Sequence, residues 1–141
     1  MQGKRAAIVI NILLLLWFLL DMVGLSIGGQ MLVSRAWQED GIFFLMYLAA
    51  FLWFLLKDKP GKFALLGFLA LWLTLQLYFH WFFTVFGPWE GMIRFFAGTI
   101  KLFPSDVVYI PDLYHIVLHV LISCALVSVI RFAIKSRRIK A

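Results

Sequence analysis

The stretch FLWFLLKDKPGKFALLGFL, residues 51–69, consists of two apolar segments on either side of a short basic connection, KDKPGK, residues 57–62. Proline and glycine side by side are typical of a turn. A connection this short makes the two flanking segments run antiparallel to each other. The stretch therefore predicts a helical hairpin with a tight, basic turn.

Outward from this hairpin the chain contains four apolar runs, each close to the ~20 residues that a helix needs to cross ~30 Å of hydrocarbon. They cover residues 6–33, 36–56, 63–86 and 113–134. With 64% apolar and 14% charged residues, the composition is that of an integral membrane protein. The first run is too long for a signal peptide and is predicted to be an uncleaved anchor. The predicted fold class is an all-α, polytopic membrane protein: a single domain, residues 1–141, with a four-transmembrane-helix bundle.

The connection between the third and fourth runs is longer than the others. A short interfacial helix between helices 3 and 4 is predicted there, because apolar residues recur at near-helical spacing: Met92, Phe95, Phe96, Ile100 and Phe103. After it, Pro111 followed by Asp112 is typical of a helix start, with the acid near the positive end of the helix dipole.

The net charge of +6 comes from basic residues that lie beside apolar runs and form no basic face of their own. Lipid headgroups are therefore the expected partner, and nucleic acid is excluded. Ten of the thirteen basic residues lie at the two termini and in the second connection: Lys4, Arg5, Lys57, Lys59, Lys62, Arg131, Lys135, Arg137, Arg138 and Lys140. By the positive-inside rule, both termini are predicted to be cytoplasmic, in a plasma membrane. Cys124 is the only cysteine, which excludes a disulfide within one chain.

Ionisable residues of three predicted helices fall at one depth. At 1.5 Å per residue, Asp21 and His80 lie roughly 8 Å and 5 Å below the outer edge of the hydrocarbon. His115 and His119 lie roughly 5 Å and 10 Å below it, and with Asp112 they share one face of the fourth helix. Gly24 and Gly28, on the first helix beside Asp21, are predicted to let another backbone come close. Because such residues usually face the bundle interior or a wet cavity, an outward-facing polar pocket is predicted.

The ligand predicted for this pocket is a divalent metal ion. Zn²⁺ is the first candidate, because it prefers imidazole and carboxylate ligands. The predicted metal ligands are His80, Asp112, His115 and His119. Asp21 and Glu90 are predicted to act as a catalytic base or to orient a ligand. In residue types alone, the HxxxH pair with a distant histidine and aspartate resembles the seven-helix ceramidase and adiponectin-receptor hydrolases, and no residue role is transferred from them. The main functional hypothesis is a membrane-embedded, metal-dependent hydrolase that acts on a lipid-like substrate.

Three other hypotheses remain open on the sequence. Haem b held between His80 and His115 or His119 is one, although the bulky residues around His80 leave little room for a porphyrin. Proton-coupled transport or sensing, with Asp21 as the carrier, is another. The third is a non-enzymatic scaffold or accessory subunit, since polar side chains also hold membrane helices together without a ligand. The transport hypothesis calls for a homo-oligomer, and the scaffold hypothesis for a larger membrane complex.

Overall fold

The structure, a computed structural model, describes residues 2–87, 90–105 and 107–138, without the side chains of residues 2, 137 and 138. Lys140 and the side chains of Arg137 and Arg138, which support the predicted orientation, lie outside this description. The described elements are α1 (Gln2–Val23), β1 (Leu25–Ile27), β2 (Gln30–Val33), α2 (Trp37–Leu56), α3 (Asp58–Phe86), α4 (Glu90–Phe95) and α5 (Leu113–Arg138).

Four of these helices are long and apolar enough to cross a membrane, which confirms the predicted number of long apolar helices. The second agrees with its predicted bounds to within a residue, and the fourth continues beyond them to Arg138. Between α2 and α3 only Lys57 is non-helical, so the predicted six-residue turn is wrong in length. The helix accepts Pro60 because the first helical turn has no backbone hydrogen bond for proline to remove.

The predicted first span, residues 6–33, is wrong in its last ten residues, because α1 ends at Val23. Gly24 follows with φ +75°, a left-handed conformation that stops the helix. Two antiparallel strands then form a β-hairpin whose turn has Gly28 and Gly29 at φ +59° and +84°. Contrary to the prediction, Gly24 and Gly28 therefore do not lie on the helical surface beside Asp21. The β-hairpin is also an exception to the predicted all-α fold.

The β-hairpin organises the connection between α3 and α5. The Ile100 N–H donates to the Met31 carbonyl at 2.9 Å, and the Leu113 N–H donates to the Ile100 carbonyl at 2.9 Å. A short helix exists in this connection as predicted but ends at Phe95, so Phe96, Ile100 and Phe103 do not belong to it. Through Ile100, these two hydrogen bonds connect the β-hairpin to the start of α5, where Asp112 lies.

The helices pack in two close pairs, α1 with α5 and α2 with α3, and α3 also contacts α5. Their shared core is apolar and aromatic, with Leu14, Tyr47, Leu69 and Leu118 almost fully buried. A buried polar contact joins α1 and α2 within it: the Tyr47 hydroxyl donates to the Asn11 carbonyl at 3.0 Å and lies 3.0 Å from Asn11 Oδ1. All four long helices also carry exposed large apolar side chains, among them Leu16, Leu45, Leu71 and Val120.

Candidate functional site

His80 lies in a π-helical segment, Leu77–Phe82, near the end of α3. Such segments insert one residue per turn into an α-helix and are frequent at functional sites, because they redirect a side chain. Here the imidazole is buried, and its Nδ1 lies 2.8 Å from the Tyr109 hydroxyl. The opposite ring nitrogen, Nε2, is left free of that contact.

Asp112 caps α5, as its position after Pro111 predicts. Its Oδ1 accepts a hydrogen bond at 2.9 Å from the His115 backbone N–H, the third residue of the helix. The same oxygen accepts a second one at 2.7 Å from Nδ1 of the His115 ring. Burial raises the pKa of the Asp112 carboxyl, but the hydrogen bonds from His115 and the nearby Lys101 charge outweigh it and hold the pKa below its usual value. Asp112, predicted as a metal ligand, therefore orients the His115 imidazole.

His119 is more than nine-tenths buried, and neither of its ring nitrogens has a hydrogen-bond partner in the part of the chain that the structure describes. The carbonyls of Gln76 and His115 lie near the ring without completing a hydrogen bond. A buried polar group without a partner is costly and calls for an explanation.

The three imidazoles form a cluster, with the His80 ring centroid 4.2 Å from that of His115 and 5.6 Å from that of His119. Three imidazoles that bind one Zn²⁺ at 2.0–2.1 Å in tetrahedral geometry have centroids about 5 Å apart. The observed separations lie on either side of this value. As they stand, no three His, Cys, Asp or Glu side chains within residues 2–87, 90–105 and 107–138 are arranged to hold a metal ion.

A cavity of about 460 Å³ adjoins the cluster, within the size range of small-molecule sites. His80, Asp112 and His115 line it together with Asp21 and Asp40. The Asp21 and Asp40 carboxyl groups lie close enough to each other to interact electrostatically. Five aromatic rings complete the walls: Phe43, Trp72, Phe79, Phe95 and Phe96.

Lys101 supplies a positive charge close to the histidine cluster. Lys101 Nζ lies 5.7 Å from the Phe96 ring centroid and 5.6 Å from that of Tyr109, within range of cation–π attraction. Burial lowers the pKa of the Lys101 ammonium, and the Asp112 carboxylate opposes that shift. Burial, with Asp112 nearby, raises the pKa of the Tyr109 hydroxyl, so this group stays protonated as a hydrogen-bond partner for His80.

The structure brings together most of the predicted site residues. Asp21, His80, Asp112 and His115 line the cavity, and His119 packs against His80. Glu90 lies apart, on the exposed side of α4, with its nearest cation, Arg94, 3.9 Å away.

Sequence reasoning missed two residues of the site. Tyr109 reaches His80 from an irregular loop, where no periodicity predicts direction. Asp40, in the first turn of α2, has the pattern of an ordinary helix-start acid, so nothing in the sequence pairs it with Asp21.

The comparisons with known proteins give no relative: the sequence matches no known protein family, and no curated protein or solved structure is similar to it.

Proposed function

We propose that the protein is an integral membrane protein whose four long helices form a membrane-spanning bundle. The exposed apolar side chains on all four helices support this, because a hydrocarbon environment removes the cost of exposing them. The positive-inside rule supports a plasma membrane orientation with both termini cytoplasmic and the histidine cluster near the outer face.

Within this bundle, His80, His115 and His119 bind a divalent transition metal ion, for which Zn²⁺ is the first candidate. The observation that carries this proposal is which ring nitrogens of the three histidines already have a hydrogen-bond partner and which do not. Tyr109 contacts Nδ1 of His80 and Asp112 contacts Nδ1 of His115, which leaves Nε2 of each ring for a ligand. Neither ring nitrogen of buried His119 has a hydrogen-bond partner among the described residues. Metal-binding histidines have this arrangement, with the second ring nitrogen donating to a carboxylate or another acceptor. Binding requires the His119 ring to turn toward the other two.

The cavity beside the cluster supports hydrolysis of a lipid-like substrate as the reaction. A zinc ion with three protein ligands keeps a position open for water and lowers the pKa of that water to about 7. Asp21 and Asp40, which line the same cavity, supply a carboxyl group that accepts a proton. Aromatic walls suit an apolar substrate that enters from the bilayer.

Metal content tests the metal site. The detergent-purified protein is stripped with a chelator, dialysed against zinc and then against metal-free buffer, and its zinc is measured by mass spectrometry. We expect close to one zinc per chain, lost in a His115→Ala/His119→Ala double variant that elutes as a folded protein. Glu90→Gln, which removes an acid outside the cavity, is the matched control and keeps its zinc. Folded wild-type protein with no more zinc than the double variant would overturn the metal site.

A further inference from the structure

At the opposite end of the bundle from the histidines, a groove of about 510 Å³ runs between α1 and α5. Small residues make room for it: Gly3 and Ala6 on α1, and Cys124 on α5. Ile10 and Val127 continue its apolar lining. This α1–α5 groove shares no lining residue with the cavity at the histidines.

The walls of the α1–α5 groove offer no free hydroxyl. Ser123 donates to the His119 carbonyl at 2.8 Å, and Ser128 donates to the Ala125 carbonyl at 2.7 Å, so both hydroxyls are satisfied by their own helix. A ligand along these walls is therefore held by apolar contact.

All the charge of the groove lies at one end, where exposed Arg131 and Lys135 stand one helical turn apart. Neither forms an ion pair with any residue that the structure describes. Of the acids within residues 2–87, 90–105 and 107–138, only Asp58 lies at this end, and it pairs with Lys4. An apolar groove that ends in two uncompensated cations is complementary to an amphiphile with an anionic head.

We propose that the α1–α5 groove binds an anionic phospholipid, with its phosphate at Arg131 and Lys135 and an acyl chain along Val127 and Cys124. Basic pockets between membrane helices bind anionic headgroups in this way. Arg131 lies seven positions after Cys124 on the helix, so the groove can follow an acyl chain for about 10 Å. The inference rests on the proposed membrane insertion and is independent of the metal site.

Native mass spectrometry of the full-length protein in detergent tests this. The protein is titrated with phosphatidylglycerol and with phosphatidylcholine of the same acyl chains. A basic residue near a headgroup favours the anionic lipid about fivefold, so the pair predicts a preference of about thirtyfold for phosphatidylglycerol. Arg131→Gln/Lys135→Gln should abolish the preference. Lys57→Gln/Lys59→Gln, which removes two exposed cations at the same end but outside the groove, is the matched control and should retain it.

Two further measurements separate a lipid site from a simple anion site. Val127→Trp fills the groove and leaves both cations in place, so phosphatidylglycerol binding should fall about tenfold if the acyl chain lies there. Inorganic phosphate should fail to displace the lipid at equal concentration. Equal binding of the two lipids, loss of preference in the control, full binding by Val127→Trp or displacement by phosphate would each overturn the proposal. Alkaline carbonate extraction of membranes from cells that express the protein tests insertion separately. Failure of the lipid site and failure of membrane insertion therefore remain distinguishable.

Discussion

Asp112 links the helix start to the histidine cluster through a single oxygen. Its Oδ1 satisfies a backbone N–H that α5 would otherwise leave without a partner, and it also holds Nδ1 of His115. In a neutral imidazole whose Nδ1 donates to a carboxylate, the lone pair is on Nε2, which is the nitrogen that the proposed metal would need. The position of this one residue thus sets both the helix boundary and the chemistry of its neighbour.

Replacing Asp112 with asparagine tests that role at the level of one residue. The amide oxygen keeps the cap and still accepts from His115, but the negative charge is lost. Zinc affinity should fall about 10–100-fold, measured by competition with a fluorescent chelator at constant pH. Glu90→Gln removes the same charge outside the cavity and should leave the affinity unchanged. Equal affinities for Asp112→Asn and the wild type would contradict a supporting role for Asp112.

The buried contact between Tyr47 and Asn11 predicts a stability effect. In Tyr47→Phe the ring packing remains, but Asn11 Oδ1 loses its hydroxyl neighbour in the core. The free energy of unfolding should drop by about 1 kcal/mol, measured by titration with sodium dodecyl sulfate. The control is Tyr78→Phe, at an exposed ring, with a change below about 0.5 kcal/mol. A change in Tyr47→Phe no larger than the control would show that the hydroxyl is dispensable.

At the scale of elements, apolar runs predicted the four long helices, since length and hydropathy set them directly. The β-hairpin was not predicted because most of its strand residues are apolar and continue the apolar run of the helix before them. The one signal was three glycines within six positions, Gly24, Gly28 and Gly29, which in the structure all have positive φ.

The junction of α2 and α3 depends on Gly61. A Cβ there would lie 2.5 Å from the Phe54 backbone N and Cα and would also overlap the Trp53 carbonyl oxygen. Gly61→Ala should therefore force the two helices apart and lower the free energy of unfolding by at least about 2 kcal/mol in the same titration. Gly67→Ala, on the same helix with open space around it, should raise stability by about 0.5–1 kcal/mol. Similar effects of the two substitutions would refute a close approach at Gly61.

Counting the rise per residue along each predicted helix predicted much of the candidate site, because helical rise is the same for every sequence. It brought Asp21, His80 and His115 to one level, and all three line one cavity. It did not predict the π-helical segment that holds His80, since the insertion of a residue into a helical turn is set by tertiary packing. The partners Tyr109 and Asp40 depend on the path of loops, which periodicity does not describe.

The whole molecule has a polar asymmetry along its helices. One end carries the histidines and most of the acids, while the other carries exposed cations such as Lys59 and Arg131. This separation assigns the two proposed sites, the metal centre beside the cavity and the groove for an anionic lipid, to different proposed leaflets. The same asymmetry decides the proposed orientation, because cations resist transfer across the membrane during insertion.

Orientation is testable with single cysteines in a Cys124→Ser background. Ser105, in the exposed loop before α5, and Lys59, at the α2–α3 junction, lie at opposite ends of the bundle. If both termini are cytoplasmic, a membrane-impermeant maleimide on intact cells should label Ser105→Cys and spare Lys59→Cys until the membrane is permeabilised. Labelling of Lys59→Cys alone would invert the topology and place the histidine cluster inside. Labelling of both in intact cells would show that the two ends are not separated by a bilayer, which contradicts a four-span bundle with the cations retained on one side.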